Sequence, residues 1–382
     1  MKAIPKIIFL LFGFAFTLGS IDAYSATITS NGSGNWNSTS TWSGGVVPGI
    51  SDDAIIRPGD AITVTVSTSV NSVTFSNTAA TTGTLSVNTG ITLTVTAGIS
   101  LLSSGANNTA ATVTGAGSIS CASFQVGSDG VPPASTTRTT TLTSSITSLT
   151  INGNLTISSF AGANNTRLIN SRYFLASGTI TLSGQLATTN EDPLNTSTFS
   201  NASAPQTGVL NLSAASPFSL SGTGTSTITL NGTSTVVNYN GSVAQTVRAT
   251  TYRTLKINNA NASGATLGGA VTVTALTIGD VTLNSIFNDG GFQVTSTGTL
   301  NLISGTFNLG SVGTATTWPS FGTRNISAGT TIGYVAGVTQ TVSATPSYQN
   351  LTLSGAGQKN ANGIINVAGN LTNSSVFDMV GF

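Results

Sequence analysis

Residues able to do chemistry are scarce in this 382-residue chain, and their types narrow what it can catalyse. There is no histidine, which removes the usual general base of a nucleophilic triad and the commonest metal ligand. Ten acidic residues remain, and only two groups of them lie close together in sequence. Asp52, Asp53 and Asp60 flank one short apolar segment, and Glu191 and Asp192 adjoin in a polar stretch. Closely placed carboxylates are what a glycoside-cleaving or Ca²⁺-binding site needs, the cation requiring six to eight oxygens that backbone carbonyls and Asn can complete. Asp52, Asp53 and Asp60 are therefore the candidate metal ligands, with Ca²⁺ the candidate ion. The competing reading is that the three aspartates shape turns and that Glu191 and Asp192 are solvated loop charge. Trp36 and Trp42 are candidate carbohydrate contacts, against a reading in which both fill the end of a core. The single cysteine, Cys121, sits in Ile119-Ser-Cys-Ala-Ser-Phe124 and reads as a small buried hydrophobe. It leaves no intramolecular disulfide. Glycine-rich stretches such as Gly222-Thr-Gly224 have no nucleotide-binding context.

The elements that must carry these residues are strands. From about residue 60 the chain is a succession of alternating segments such as Ala61-Ile-Thr-Val-Thr-Val66, Ile91-Thr-Leu-Thr-Val-Thr96 and Gly298-Thr-Leu-Asn-Leu302. Side chains on a strand alternate between faces, so Ile, Leu and Val meet a core while Thr, Ser and Asn meet water. Turn signals such as Asn152-Gly153, Asn231-Gly232 and Asn240-Gly241 punctuate the runs. No amphipathic helix interrupts them. One long internal repeat stands out: Val237 to Ile257 matches Ile332 to Leu353, pairing Tyr239 with Tyr334, Gln245 with Gln340 and Leu255 with Leu351. The offset is 334 − 239 = 95, becoming 351 − 255 = 96 after one inserted residue.

These features predict an all-β chain, a right-handed parallel β-helix or solenoid with an N-terminal cap over residues 26–66 and repeats from 67 to 382. Tandem antiparallel β-sandwiches of about 100 residues are the alternative, disfavoured because the tryptophans do not recur with a sandwich's core spacing. Loop insertions are expected near 130–138 and 188–208. Only 5 % of residues are charged and the net charge is +1. Serine and threonine make up about 30 % of the chain, and 38 % is hydrophobic, enough apolar surface for a core. Scattered single Arg and Lys residues offer no footprint for nucleic acid. At the start, Lys2 and Lys6 precede an apolar run from Ile7 to Leu18 and a small-residue site at Ala23-Tyr-Ser25, the pattern of a secretory signal peptide over residues 1–25. The run of roughly 12 residues falls short of the roughly 20 needed to span a bilayer. A secreted or cell-surface protein is expected.

The segment Gly34-Asn-Trp36 through Trp42, Pro48, Asp52 and Asp53 to Gly59-Asp60 and Val64 resembles the opening module of large Bacteroidetes surface proteins exported by the type IX system, and is similar to the start of a G8 domain. Gln245-Thr-Val247, Gln340-Thr-Val342 and Gly153-Asn-Leu-Thr-Ile157 look like the β-strand repeats that follow it. The resemblance implies an extracellular β-helical architecture of the kind found in adhesins and very large surface proteins; surface glycans or extracellular proteins are the expected partners, and no cofactor is expected beyond the candidate Ca²⁺. Such proteins usually close with a sorting domain bearing a Pro-Asn-Pro-like motif, and Phe382 is reached without one. The expectation is the front part of a longer gene product, structural or adhesive, without catalytic activity. The alternative is a carbohydrate-binding or polysaccharide-lyase-like β-helix.

Overall fold

The computed structural model describes residues 25–104, 107–128, 137–159, 169–190 and 193–379. The expected signal peptide up to residue 24, Glu191 and Asp192, and nearly all of the loop expected at 130–138 lie outside them. Among the described residues strand accounts for 53 % and helix for 2 %. Strands form a hydrogen-bonded parallel sheet of 24 strands and two further parallel sheets of seven and three. Every ladder between strands is parallel, and the antiparallel bridge Ser30 to Trp42 is isolated. Parallel pairing at a distance of one coil defines a β-solenoid and is incompatible with antiparallel sandwiches.

In the middle of the molecule each coil has three strands. The first face stacks Leu155–Ser159, Leu186–Asn190 and Phe218–Gly222. The second stacks Ile169–Leu175, Thr196–Ser200 and Thr225–Thr229, and the third Thr179–Leu182, Val209–Leu212 and Val236–Tyr239. Long strands such as Thr109–Ser128 bend round the corners and join the faces into one sheet. Coil length, read from register partners, varies from 218 − 186 = 32 residues at Leu186 and Phe218 to 254 − 236 = 18 at Val236 and Thr254.

The predicted alternation holds in three dimensions. On the third face, Val95, Cys121, Ile151, Leu182, Leu212, Tyr239, Ile257, Ile278 and Leu302 stack one above another, each buried. At some corners the rise between rungs is met by glycines in left-handed conformation. Gly222 (φ +91°) lies so close to the Asn190 carbonyl that a Cβ would collide with it.

One expectation needs correction. The stretch 188–208 is not one loop. Thr196–Ser200 is a strand inside it, paired with Asn170 to Phe174 on one side and Thr225–Thr229 on the other. Asn and Pro flank a segment whose Phe199 points inward and stacks on Tyr173 at 5.8 Å, and that burial outweighs the turn signals around it. Among the described residues of this stretch, irregular chain is limited to Pro193 to Asn195 and to residues 201–208, which include the cis bond between Ala204 and Pro205. The N-terminal segment, in turn, is already a rung: Thr27–Thr29 pairs with Asp53 to Ile55, and Gly34–Asn35 with Ile62 and Thr63.

Candidate functional site

The three aspartates near the N-terminus separate into three roles. Asp52 accepts from the backbone N–H of Ala26 at 3.0 Å and of Gly49 at 2.8 Å. Asp53 accepts from Asn71 Nδ2 at 2.8 Å and Ser72 Oγ at 2.5 Å, one rung on. Asp60 accepts from Ser30 Oγ at 2.5 Å and pairs with Arg57 Nε at 3.1 Å. Each carboxylate ties a different pair of segments through N–H and O–H donors, which does not make the shared oxygen cage a Ca²⁺ ion requires. Among the described residues no group of three or more His, Cys, Asp or Glu comes together.

Trp36 and Trp42 are each 1 % exposed. Their rings meet edge to face at 4.9 Å. Trp42 Nε1 donates to the Trp36 carbonyl at 2.6 Å and Trp36 Nε1 to the Pro48 carbonyl at 3.4 Å. Two short 3₁₀ turns, Thr39–Thr41 and Ser43–Gly45, hold them. With both rings interior, neither offers a face on which a sugar could stack; they plug the open end of the coil. Cys121 is part of the core stack, and burial pushes its thiol up to about 12, so it carries no thiolate at neutral pH.

The long internal repeat is a buried clasp built twice. In the first copy Tyr239 and Tyr252 join hydroxyls at 3.0 Å, the Arg248 N–H donates to Tyr239 Oη, and Tyr252 Oη donates to the Arg248 carbonyl at 2.7 Å. Gln245 accepts from the Gly241 N–H and donates to the carbonyls of Leu212 and Ala214. In the second, Tyr334 and Tyr348 meet at 2.8 Å, Ser343 supplies the matching N–H and carbonyl, and Gln340 accepts from Ala336 and donates to Leu309 and Thr316. Burial raises all four phenols, pushing Tyr239 and Tyr334 up to about 12. They stay neutral and closed off, so the repeated motif is structural. Each copy spans a contracted coil: 254 − 236 = 18 residues at Val236 and Thr254, and 350 − 331 = 19 at Thr331 and Asn350.

What faces solvent is a polar row. On the third face Ser69, Thr94, Ser120, Thr150, Thr181, Asn211, Asn238, Lys256, Thr277, Asn301 and Asn325 lie in register on successive rungs. Ten steps of about 4.8 Å make it about 48 Å long. Its amides bond along the axis: Asn238 Nδ2 donates to Asn211 Oδ1 at 3.0 Å, and Asn325 Nδ2 to Asn301 Oδ1 at 2.8 Å. Lys256 is the row's one charge. Stacking identical charges every 4.8 Å would be repulsive, whereas neutral amides and hydroxyls bond in line.

The row ends at Thr323–Ile326, and here the sequence reading missed a residue. Arg324 is the register partner of the buried Leu300 and therefore occupies an inward position, while its neighbour Asn325 bonds to the outer row. The signal was available: Thr299-Leu-Asn-Leu302 and Thr323-Arg-Asn-Ile326 share a pattern in which Arg replaces the inward leucine. Beside it a cleft of about 450 Å³ opens between the 311–322 segment and the next coil. No known protein family, curated protein or solved structure matches this chain.

Proposed function

We propose that the chain is an exported, non-catalytic repeat protein of the cell surface or extracellular space, serving as a structural stem or adhesin that contacts partners along its length. The observation that carries this reading is the 48-Å row, about ten steps of 4.8 Å, of hydroxyls and amides with a single charge. Such a surface presents many weak hydrogen-bonding groups at a fixed repeat and no convergent acid, base or nucleophile. Surface glycans and extracellular proteins are partners of matching chemistry, since both offer repeated neutral donors and acceptors. Affinity then accumulates over contacts. Export is supported by the leader-like sequence of residues 1–25 and by a composition that relies on neutral polar groups for solubility. No helix of the described residues is long and apolar enough to cross a membrane.

The test is an adhesion assay on the secreted chain with single and combined substitutions. Asn211→Ala, Asn238→Ala and Asn301→Ala are each expected to lower adhesion less than about threefold, and the triple variant far more, as summed weak contacts require. A lone substitution at Asp52, Asp53 or Asp60 that abolishes activity while the fold stays intact would overturn the reading in favour of a discrete metal or catalytic site.

A further inference from the structure

The third face stops at Thr323–Ile326 because the next strand, Thr331–Tyr334, pairs with Thr306 to Leu309 in the seven-stranded sheet instead of continuing this face. After Thr331–Tyr334 and Gln340–Val342 the chain returns to Asn350–Leu353, which pairs back onto Thr331–Tyr334. Among the described residues no strand pairs with the far edge of Thr323–Ile326; its only ladder is to Thr299–Leu302. The inner side of this last rung is thus uncovered at a step in the solenoid, and an inward register position lies open to solvent. A leucine there would expose apolar surface. The chain instead places Arg324, which is exposed, donates one guanidinium N–H to the Phe321 carbonyl, and has no carboxylate within ion-pair distance among the described residues.

The cleft at this step is lined on one side by Trp318, Phe321 and Arg324 and on the other by Thr341, Ser343 and Asn362. Trp318 is only partly buried, with its ring braced edge to face by Phe321 at 6.1 Å and tilted against Phe307 at 6.1 Å. The 311–322 segment is itself anchored: Thr316 Oγ1 donates to the buried Asp289, and Gln293 holds Thr317 through its N–H at 3.1 Å and its hydroxyl at 3.0 Å. A cleft of about 450 Å³ falls within the roughly 300–1,000 Å³ of small-ligand sites. No lining residue is acidic.

We propose that this step is a binding site for an acidic saccharide, a sugar unit bearing a carboxylate. A guanidinium whose remaining donors are free matches a carboxylate in a planar, bidentate fashion. A braced, partly exposed indole offers an apolar surface. The Thr341 and Ser343 hydroxyls and the Asn362 amide supply short-range partners for ring hydroxyls. A phosphate or a peptide carboxylate would use the arginine, but neither calls for the combination of aromatic surface and a spread of hydroxyl partners. The site stands apart from the polar row and does not depend on the adhesive reading.

The test is calorimetric titration of the full chain with tri-galacturonate, its methyl ester, and a short peptide with a free terminal carboxylate. Tri-galacturonate is expected to bind saturably, more weakly as salt rises, and at least tenfold more weakly to Arg324→Gln. That substitution lies on an exposed edge rung, and the thermal midpoint confirms folding. Arg253→Gln, an exposed arginine outside the cleft, is expected to change nothing, and the ester to bind the unaltered chain as poorly as the acid binds Arg324→Gln. Absence of saturable binding, equal binding of acid and ester, indifference to Arg324→Gln, or tighter Arg324-dependent binding of the peptide would each overturn the proposal. None of these outcomes bears on adhesion through the row, which is read in a separate assay.

Discussion

A glutamine repeated 95 positions apart looks in the sequence like one more neutral polar residue, yet Gln245 and Gln340 are 2 % and 1 % exposed and satisfy backbone groups from two rungs each. Replacing either by alanine leaves an N–H (Gly241 or Ala336) and one carbonyl (Ala214 or Thr316) without a partner, while the Leu212 and Leu309 carbonyls keep the backbone N–H of Asn240 and Val335. Unsatisfied buried groups cost about 1–3 kcal/mol each, partly relieved by relaxation, so Gln245→Ala and Gln340→Ala are each expected to lose about 3 kcal/mol, read as local loss of amide-exchange protection. Gln185→Ala, whose amide donates to the Ser216 carbonyl in an exposed position, is the contrasting case and should lose under about 1 kcal/mol. The pH response should come from Asp289. It is fully buried, and desolvation raises its carboxyl above the ordinary 3.8 despite donors from Thr316, Gly291 and Gly310. A raised acid loses its proton first in the unfolded chain, so this group makes stability fall as pH rises from about 3.8 through its folded value, with no further change above it. Asp289→Asn keeps an acceptor for the two N–H groups and removes the titration. Urea midpoints measured from pH 3.5 to 7 should lose that downward component in the variant; an unchanged profile would assign it to another group.

Between residue and whole, the strands were legible and the corners were not. Period-two alternation located Ala61–Val64 and Thr299–Leu302 within a residue or two, because burial of alternate β-branched and leucine side chains is a local property. Thr196–Ser200 was hidden because its inward Phe199 gains its stacking partner, Tyr173, from a different coil. The step at Arg324 was hidden for a similar reason: an inward arginine makes sense only once the next strand, Thr331–Tyr334, is known to pair in another sheet and leave this rung uncovered. The end plug was legible as a grouping of two tryptophans, though the same grouping also fitted an exposed sugar platform until their burial and mutual hydrogen bond were seen. Removing that plug should act locally. Trp42→Ala empties a packed position, costing about 3–5 kcal/mol, but a solenoid couples each coil chiefly to its neighbours. Amide protection is expected to drop in Thr27–Thr29 and Asp53–Ile56 and to persist in Val271–Ile278. Uniform loss along the chain would mean that the coils unfold as one unit, contrary to this picture.

At the scale of the molecule, parallel register turns coil length into a variable the fold tolerates. Neighbouring coils differ by several residues, yet inward positions stay stacked because the difference is absorbed at corners. Excising 209–235 makes the consequence testable. Val209 and Val236 are register partners, and Thr179 pairs with Val209, so the deletion joins Gly208 to Val236 and lets Val236–Tyr239 pair with Thr179–Leu182 in the same inward and outward phase. Leu182 then lies beneath Tyr239 as Leu212 did. The shortened chain is expected to fold with the same spectrum of β structure, to be shorter by about 4.8 Å, and to adhere more weakly because a rung of the polar row carrying Asn211 is gone. Excising 209–236 removes one residue more and shifts the phase by one. Since the side-chain period is two, that shift turns the apolar set of the joined strand toward water and its polar set toward the core. It should yield a chain that aggregates or loses protection from the junction onward. If both deletions behaved alike, register would not be what holds the stack together.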